Sequence, residues 1–361
     1  MSDYKTKIVA IDDVIPGMVT SQDVFTDMGQ MLIGANTTLD EKHLKKLRLY
    51  QINNVPIREA LIDLNSKKSN ISTIYKTPED IQQFKSFESS HGDYSLSLKQ
   101  QMLDISDGMH IDVSQLFSIS NDLLDIVKHK SKLFSFLNSL QNFDDYTYSH
   151  CINVSLICHT IGQWLCFSHK ELMDICVAGM LHDIGKIKVD KDILTKPGPL
   201  TEAEYEIMQK HTVYGFKIVE KQDIPYNIKM AILMHHERYD GSGYPLKAKN
   251  DEINDYAKIV AIADVYDALT SDRPYRSKFT PFHVIHRFEK EYLGKLDTKF
   301  LMIFLRNIAY CYLDSWCLLS TGEEAKIVFI NKHIPSKPIV QVDNVILDLS
   351  QEPDIYIQKI L

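Results

Sequence analysis

Over residues 1–60 the apolar positions fall in short β-rich runs, Ile8–Ile11, Val19–Phe25 and Met31–Ile33, separated by the turn pairs Pro16-Gly17 and Met28-Gly29. Leu39–Tyr50 follows with a helical pattern; Thr38 and Asp40 are its candidate caps, and Asn53-Asn54-Val55-Pro56 its terminator. The pattern predicts a small α/β module over 1–62. From Leu64 to Lys99 apolar residues thin out among Ser, Lys, Asn and Gln, which predicts a linker or an exposed helix over 63–100 and sets a domain boundary there.

Beyond Gln100 the period becomes helical. Leu116, Ile119, Leu123 and Ile126 recur at spacings of three and four, as do His150, Asn153, Val154, Ile157 and Ile161. The punctuation agrees: Thr201 and Glu204 fit a capping box, Gly185 can close a helix ending at Asp183, and Thr280-Pro281 reads as a cap followed by proline in the first turn. A helical domain over 101–316 is expected. The β-branched runs Ala325–Ile330, Ile339–Val342 and Val345–Leu347, broken by Pro335 and Pro338, predict a C-terminal β extension over 317–361. The fold class is therefore mainly α: a helical bundle with a small N-terminal α/β module and a short C-terminal β extension.

At 361 residues with 44% hydrophobic and 24% charged positions, the composition excludes disordered, collagen-like and disulfide-scaffold proteins. Forty basic against 48 acidic residues give a net charge of −8, with no run of five Lys/Arg, so neither long nucleic acid nor a membrane surface is an expected partner. No apolar stretch is long enough for a signal or a membrane span, and a cytoplasmic protein is expected. The six cysteines contain no C-x-x-C pair and read as reduced, small hydrophobes.

Five of the fourteen histidines, His150, His182, His211, His235 and His236, stand at helix ends or on helix faces together with Asp183 and Asp264. Asp264 lies in a run of small and apolar residues, where an unpartnered carboxylate is costly and a cation removes that cost. His159, His169, His283 and His286 have no neighbouring acids and are left out. Imidazole and carboxylate donors without thiolate suit iron or manganese, with zinc or nickel as alternatives, at a catalytic site. Coordination arithmetic favours two divalent ions bridged by Asp183 and a hydroxide, the arrangement for phosphoester hydrolysis. Lys186, one turn past His182, can place positive charge near the phosphate or protonate the leaving oxygen.

From Asp144 to Arg276 the chain resembles the HD-GYP family, the HD-type metal-dependent phosphohydrolases that hydrolyse cyclic di-GMP. The resemblance is carried by Tyr146-Thr147-Tyr148-Ser149-His150, His182-Asp183-Ile184-Gly185-Lys186, Lys196-Pro197-Gly198, Lys210-His211, His235-His236 leading to Gly243-Tyr244-Pro245, and Asp264-Val265-Tyr266-Asp267 leading to Arg273-Pro274-Tyr275-Arg276. It implies that His150, His182, Asp183, His211, His235, His236 and Asp264 are the metal ligands, with Asp183 bridging. It also implies that Lys186, Arg273 and Arg276 contact phosphates and that Gly243, Tyr244 and Asp267 help hold the nucleotide. Gly241 and Gly243 are expected to take positive φ in that loop. Where some members carry a glutamate four residues before the first histidine, holding a third metal, this chain has Tyr146, a weak ligand at neutral pH, so two metals are expected; Asp144 and Asp145 lie close by in sequence.

The implied activity is hydrolysis of cyclic di-GMP by a metal-bridging hydroxide, giving the linear pGpG, with GMP as the alternative end product. One alternative is a binding module that holds the dinucleotide with little turnover and signals to a partner such as a diguanylate cyclase. Another is hydrolysis of a different cyclic dinucleotide such as cyclic GMP-AMP, since guanine and adenine differ only at edges read by one or two side chains. The N-terminal module carries no heme, flavin or phosphoacceptor motif and is expected to regulate or to mediate a homodimer.

Overall fold

The computed structural model describes residues 4–11, 14, 18–25, 31–50, 52–60, 77–128, 130–140, 146–196, 198–271 and 278–361. The chain divides into a small N-terminal unit and a large one that contains everything described from residue 77 to residue 271 and from 278 onward.

In the small unit, β1 (Tyr4–Ala10) pairs antiparallel with β4 (Asn54–Ala60), and β2 (Val24–Phe25) with β3 (Met31–Ile33). Helix α1 (Glu41–Leu49) starts at Asp40, whose carboxylate accepts from the His43 backbone N–H, so Asp40 rather than Thr38 is the cap. Val9, Val24, Leu32, Leu39, Leu44, Leu47 and Val55 form its core. The expected terminator Asn54-Val55-Pro56 instead lies within β4. Pro56 stands opposite Ile8 in that pairing, and on the other side of β4 its carbonyl oxygen accepts the Ser21 N–H at 2.9 Å. Pro16-Gly17 and Met28-Gly29 lie outside the described residues.

The large unit opens with α2 (Pro78–Ser106), capped by Thr77 with proline at its first position. Its Phe84, Phe87, His91, Ser95, Leu98, Met102 and Ile105 are buried, so from Pro78 onward the stretch read as linker or exposed helix is a packed helix. The helices α3 (Val113–Val127) and α4 (Lys130–Ser139) follow, then α5 (Tyr146–Trp164) and α6 (His169–Leu181). Cys151, Ile152, Val154, Leu156, Ile157, Cys158 and Ile161 of α5 are essentially inaccessible; a helix apolar on this many faces is a central one. A 3₁₀ turn (Ile184–Lys188) and short helices α7 (Lys191–Leu194) and α8 (Glu202–Gln209) lead to α9 (His211–Val219), α10 (Tyr226–Met234), α11 (Asp255–Thr270), α12 (Pro281–Arg287) and α13 (Thr298–Tyr310). The expected Thr201/Glu204 capping box and Thr280-Pro281 start are both present.

The C-terminal extension is a five-stranded antiparallel sheet in the order β8-β7-β6-β5-β9, built from β5 (Trp316–Leu319), β6 (Glu324–Phe329), β7 (Ile339–Val342), β8 (Val345–Asp348) and β9 (Ile357–Ile360). No disulfide joins the described cysteines; Cys151, Cys158, Cys176 and Cys317 are buried, while Cys166 is exposed. Among the described residues no helix is long and apolar enough to cross a membrane.

Candidate metal centre

The candidate donors are delivered by helix ends. His150 sits in the first turns of α5, His182 caps the end of α6, and Asp183 leads into the 3₁₀ turn. His211 opens α9, His235 ends α10 with His236 next to it, and Asp264 lies in α11. Gly185 was expected to close a helix. α6 ends two residues earlier, and the role of Gly185 is close approach: a Cβ there would lie 1.8 Å from the His211 carbonyl oxygen and 2.4 Å from the Gly215 nitrogen. The turn carrying Asp183 can lie against the start of α9 only because that side chain is absent.

All seven residues converge in two groups, Asp183 with His211, His235 and His236, and His150 with His182 and Asp264, each with donor atoms within 4.8 Å of one another. Asp183 joins them. Its Oδ1 faces His211 Nε2 at 3.4 Å and His235 Nε2 at 3.9 Å; its Oδ2 faces His182 Nε2 at 3.2 Å and His150 Nε2 at 3.9 Å. His150 Nε2 lies 3.1 Å from Asp264 Oδ1, and His236 Nδ1 4.0 Å from Asp264 Oδ2.

Second partners fix the rings. The Nδ1 atoms of His182, His211 and His235 lie 2.7, 2.7 and 3.0 Å from the carbonyl oxygens of Gly179, Met208 and Ile232. A carbonyl only accepts, so each Nδ1 carries the proton and each Nε2 presents a lone pair to the cluster. The Nε2 atoms of His211 and His235 are then 3.3 Å apart with no proton to share between them. His182 Nε2 and Asp183 Oδ1 are buried and have no hydrogen-bond partner. Orphaned lone pairs on a buried imidazole and a buried carboxylate, facing one another's neighbours, fit a cation.

Electrostatics support the same assignment. Burial, then the neighbouring imidazoles, push His235 and His236 well below the ordinary histidine range; burial, against the pull of Asp183, lowers His211. These rings are neutral at pH 7, as ligands must be. Burial would raise both aspartates, but Lys186 and His182 beside Asp183, and His150 and His236 beside Asp264, hold these carboxyls far below the usual range. Burial alone would lower His150; Asp264 and Asp267 outweigh it and push it up to about 9. A cation at its Nε2 therefore competes with a proton.

Lys186 Nζ donates to Asp183 Oδ2 at 2.5 Å. The Tyr244 ring stacks on His236 with centroids 4.7 Å apart and meets His211 edge-on at 6.4 Å. Its loop is tied down by Glu237, whose buried carboxylate accepts the Leu246 N–H at 2.6 Å. Gly241 has the expected positive φ of 80°. Gly243 does not; a Cβ there would meet the backbone of Glu237, Arg238 and His236 at 2.4 to 2.5 Å, so the loop doubles back too tightly for any side chain.

The structure gives Asp267 a different task from the nucleotide contact implied by resemblance. It is buried; Oδ2 accepts from His150 Nδ1 at 2.7 Å, and Oδ1 accepts from Asn153 Nδ2 at 2.9 Å and Ser271 Oγ at 3.2 Å. Both of its oxygens are engaged within the protein. Asn153 in turn meets His91 of α2, Oδ1 to Nε2 at 2.8 Å. Sequence reasoning singled out neither residue for the site, although Asn153 at three residues past His150 was a visible clue to a shared helix face. Arg273, Arg276, Asp144 and Asp145 lie outside the described residues, as does the side chain of Tyr146.

Comparison with known proteins agrees with this geometry. A family model described as an HD domain matches residues 123–299. A cyclic di-GMP phosphodiesterase of Pseudomonas aeruginosa is 31% identical over 209 residues, 56% of this chain and 50% of that protein. A cyclic di-GMP phosphodiesterase of Thermotoga maritima is 41% identical over 150 residues, 40% of each chain. A 3′3′-cGAMP-specific phosphodiesterase of Vibrio cholerae is 36% identical over 153 residues, 42% of this chain and 29% of that one. The chain thus spans half or less of the length of these relatives. Among solved structures, an HDG"Y"P protein from Bdellovibrio bacteriovorus aligns with a TM-score of 0.47 and 14% identity over 83% of this chain and 98% of that one. The paired histidines and the Gly243-Tyr244-Pro245 loop lie inside the segment that matches the HD-domain model, and this segment is similar to cyclic di-GMP phosphodiesterases.

Proposed function

We propose that this chain is a phosphodiesterase that hydrolyses cyclic di-GMP to pGpG, and onward to GMP, at a site holding two divalent cations. The observation that carries the reading is the division of Asp183 between two donor groups, one carboxylate oxygen toward His211 and His235 and the other toward His182 and His150. A carboxylate shared in this way would hold two ions rather than one. Oxygen and nitrogen donors without sulfur favour iron or manganese. When bound, such ions supply an activated water and offset charge on the attacked phosphate.

The chain's own residues supply the rest. Lys186 carries an ammonium group at the edge of the donor cluster, where it can neutralise a phosphate oxygen or hand a proton to the leaving one. Arg273 and Arg276, by their place in the family motif, are proposed as bidentate phosphate contacts. Tyr244 closes one side of the site with its ring against His236. Asp267 accepts from His150 Nδ1 and so orients the ring with Nε2 toward the cluster, where a cation would displace its proton.

A second reading keeps the chemistry and changes the base. Relatives in Vibrio cholerae carry names specific to 3′3′-cGAMP, so cyclic GMP-AMP is the alternative substrate. The test is purified protein loaded with iron or manganese without oxygen and incubated with each dinucleotide, products being separated by chromatography. Faster loss of cyclic di-GMP with pGpG appearing supports the proposal. Saturable binding of both with no product refutes it in favour of a receptor.

A further inference from the structure

Helix α2 precedes the segment matched by the HD-domain model, yet one of its side chains is wired to a candidate metal ligand. His91 is fully buried, and its Nε2 lies 2.8 Å from Asn153 Oδ1; Asn153 Nδ2 lies 2.9 Å from Asp267 Oδ1; Asp267 Oδ2 lies 2.7 Å from His150 Nδ1. The proton directions follow from donor and acceptor chemistry alone. An ionised carboxylate only accepts, so Asn153 must present its NH₂ to Asp267, and its carbonyl oxygen is thereby turned toward His91. His91 is neutral, burial having lowered it to about 4, and its single N–H must therefore sit on Nε2 to donate to that oxygen. At the other end the same carboxylate accepts from His150 Nδ1, which leaves Nε2 as the ring atom turned toward the donor cluster.

We infer that His91 is a positioning residue for the metal centre, fixing the amide orientation of Asn153, through it the carboxylate of Asp267, and through that the tautomer and ring orientation of His150. This inference rests on the metal-centre reading above and extends it by two residues that the comparisons do not assign. The logic is one of exclusion. Without a donor at position 91, the Asn153 side chain can flip and bring its carbonyl oxygen to Asp267, where two acceptors repel and the grip on His150 loosens. Burial strengthens the argument, since no bulk water reaches His91 or Asn153 to substitute for a missing partner.

The test measures cation affinity by chelator competition, using Mn²⁺ and the full chain, with thermal stability followed in parallel without metal. Removing an outer partner of a metal ligand costs about 10- to 100-fold in affinity. His91→Phe is expected to weaken Mn²⁺ binding by about 10-fold, and His91→Gln, which retains an N–H donor, to restore most of it. In the Asp267→Asn background His91→Phe is expected to cost no further affinity, because the chain is already cut. A His91→Phe protein with wild-type Mn²⁺ affinity, or additive losses in the double variant, would overturn the inference, as would a loss confined to thermal stability. If His91→Phe does not fold, Asn153→Ser breaks the same chain and is judged by the same criteria. Wild-type protein that binds no Mn²⁺ would instead refute the metal centre itself.

Discussion

Asp183→Asn is the substitution that separates a binuclear centre from a buried hydrogen-bond cluster. The side chain is 2% exposed and changes neither size nor shape, so the replacement removes one negative charge and turns one oxygen into an NH₂. That NH₂ must face imidazole lone pairs on one side of the site or the other, because Oδ1 and Oδ2 are each within 4 Å of two Nε2 atoms. Loss of a partner outside the donor shell already costs about 10- to 100-fold in cation affinity, so 100-fold is a floor for this donor. At a cation concentration about 100 times the wild-type dissociation constant, binding stabilises the fold by about 2.7 kcal/mol; a 100-fold weaker variant retains RT ln 2, about 0.4 kcal/mol. One kcal/mol moves the midpoint of a unit of this size by about 2–4 °C. Thermal melts with and without Mn²⁺, after chelator treatment, should therefore show a shift of about 5–11 °C for the natural chain and about 1–2 °C for the variant. Equal shifts in the two proteins would refute the bridging role of Asp183.

Gly185→Ala forces a methyl group into the His211 carbonyl at 1.8 Å, and neither backbone can yield without moving a candidate donor. A destabilisation of about 3 kcal/mol, the upper end for overpacking, is expected in urea unfolding, and an unchanged midpoint would contradict it. Lys186→Gln is expected to slow hydrolysis by about 100-fold while elemental analysis finds the cation content unchanged; loss of cation instead would give Lys186 a structural role. The buried His91, lowered to about 4 in the fold against 6.5 when unfolded, makes the unfolded chain the stronger proton binder between these values. Its contribution is intact above pH 6.5 and is lost as the pH falls toward 4. Unfolding at pH 5 should cost about 2 kcal/mol less than at pH 7 on this account, and His91→Phe should flatten that difference; identical pH slopes in both proteins would exclude it.

The metal-binding chemistry was legible because its residues are costly anywhere else. An aspartate inside the apolar run around Ala261, Ile262 and Ala263, and paired histidines at a helix end, are hard to explain by packing alone. His91 was illegible for the opposite reason. Its helix is rich in Ser, Gln and Lys, and the buried positions Phe84, Phe87, His91, Ser95, Leu98, Met102 and Ile105 keep a spacing of three and four that two polar members interrupt. Counting that spacing, rather than composition, would have found a packed helix. The contacts of Asp267 to His150 and Asn153 were illegible because residues 117 and 114 positions apart are brought together only by the fold. In the small unit, Asn54 and Pro56 argued for a turn by propensity, and pairing with β1 overrode it.

The face-to-face packing of Tyr244 on His236 joins a loop to a donor, and so ties two equilibria together. Any ligand that draws the phenol ring aside must strip a neighbour from that imidazole, and any cation that reorients the imidazole must alter the surface on which the phenol rests. Reciprocity then requires that occupancy of the loop change cation affinity by the same factor by which the cation changes affinity at the loop. Titrating one in the presence of the other measures that single number from either direction.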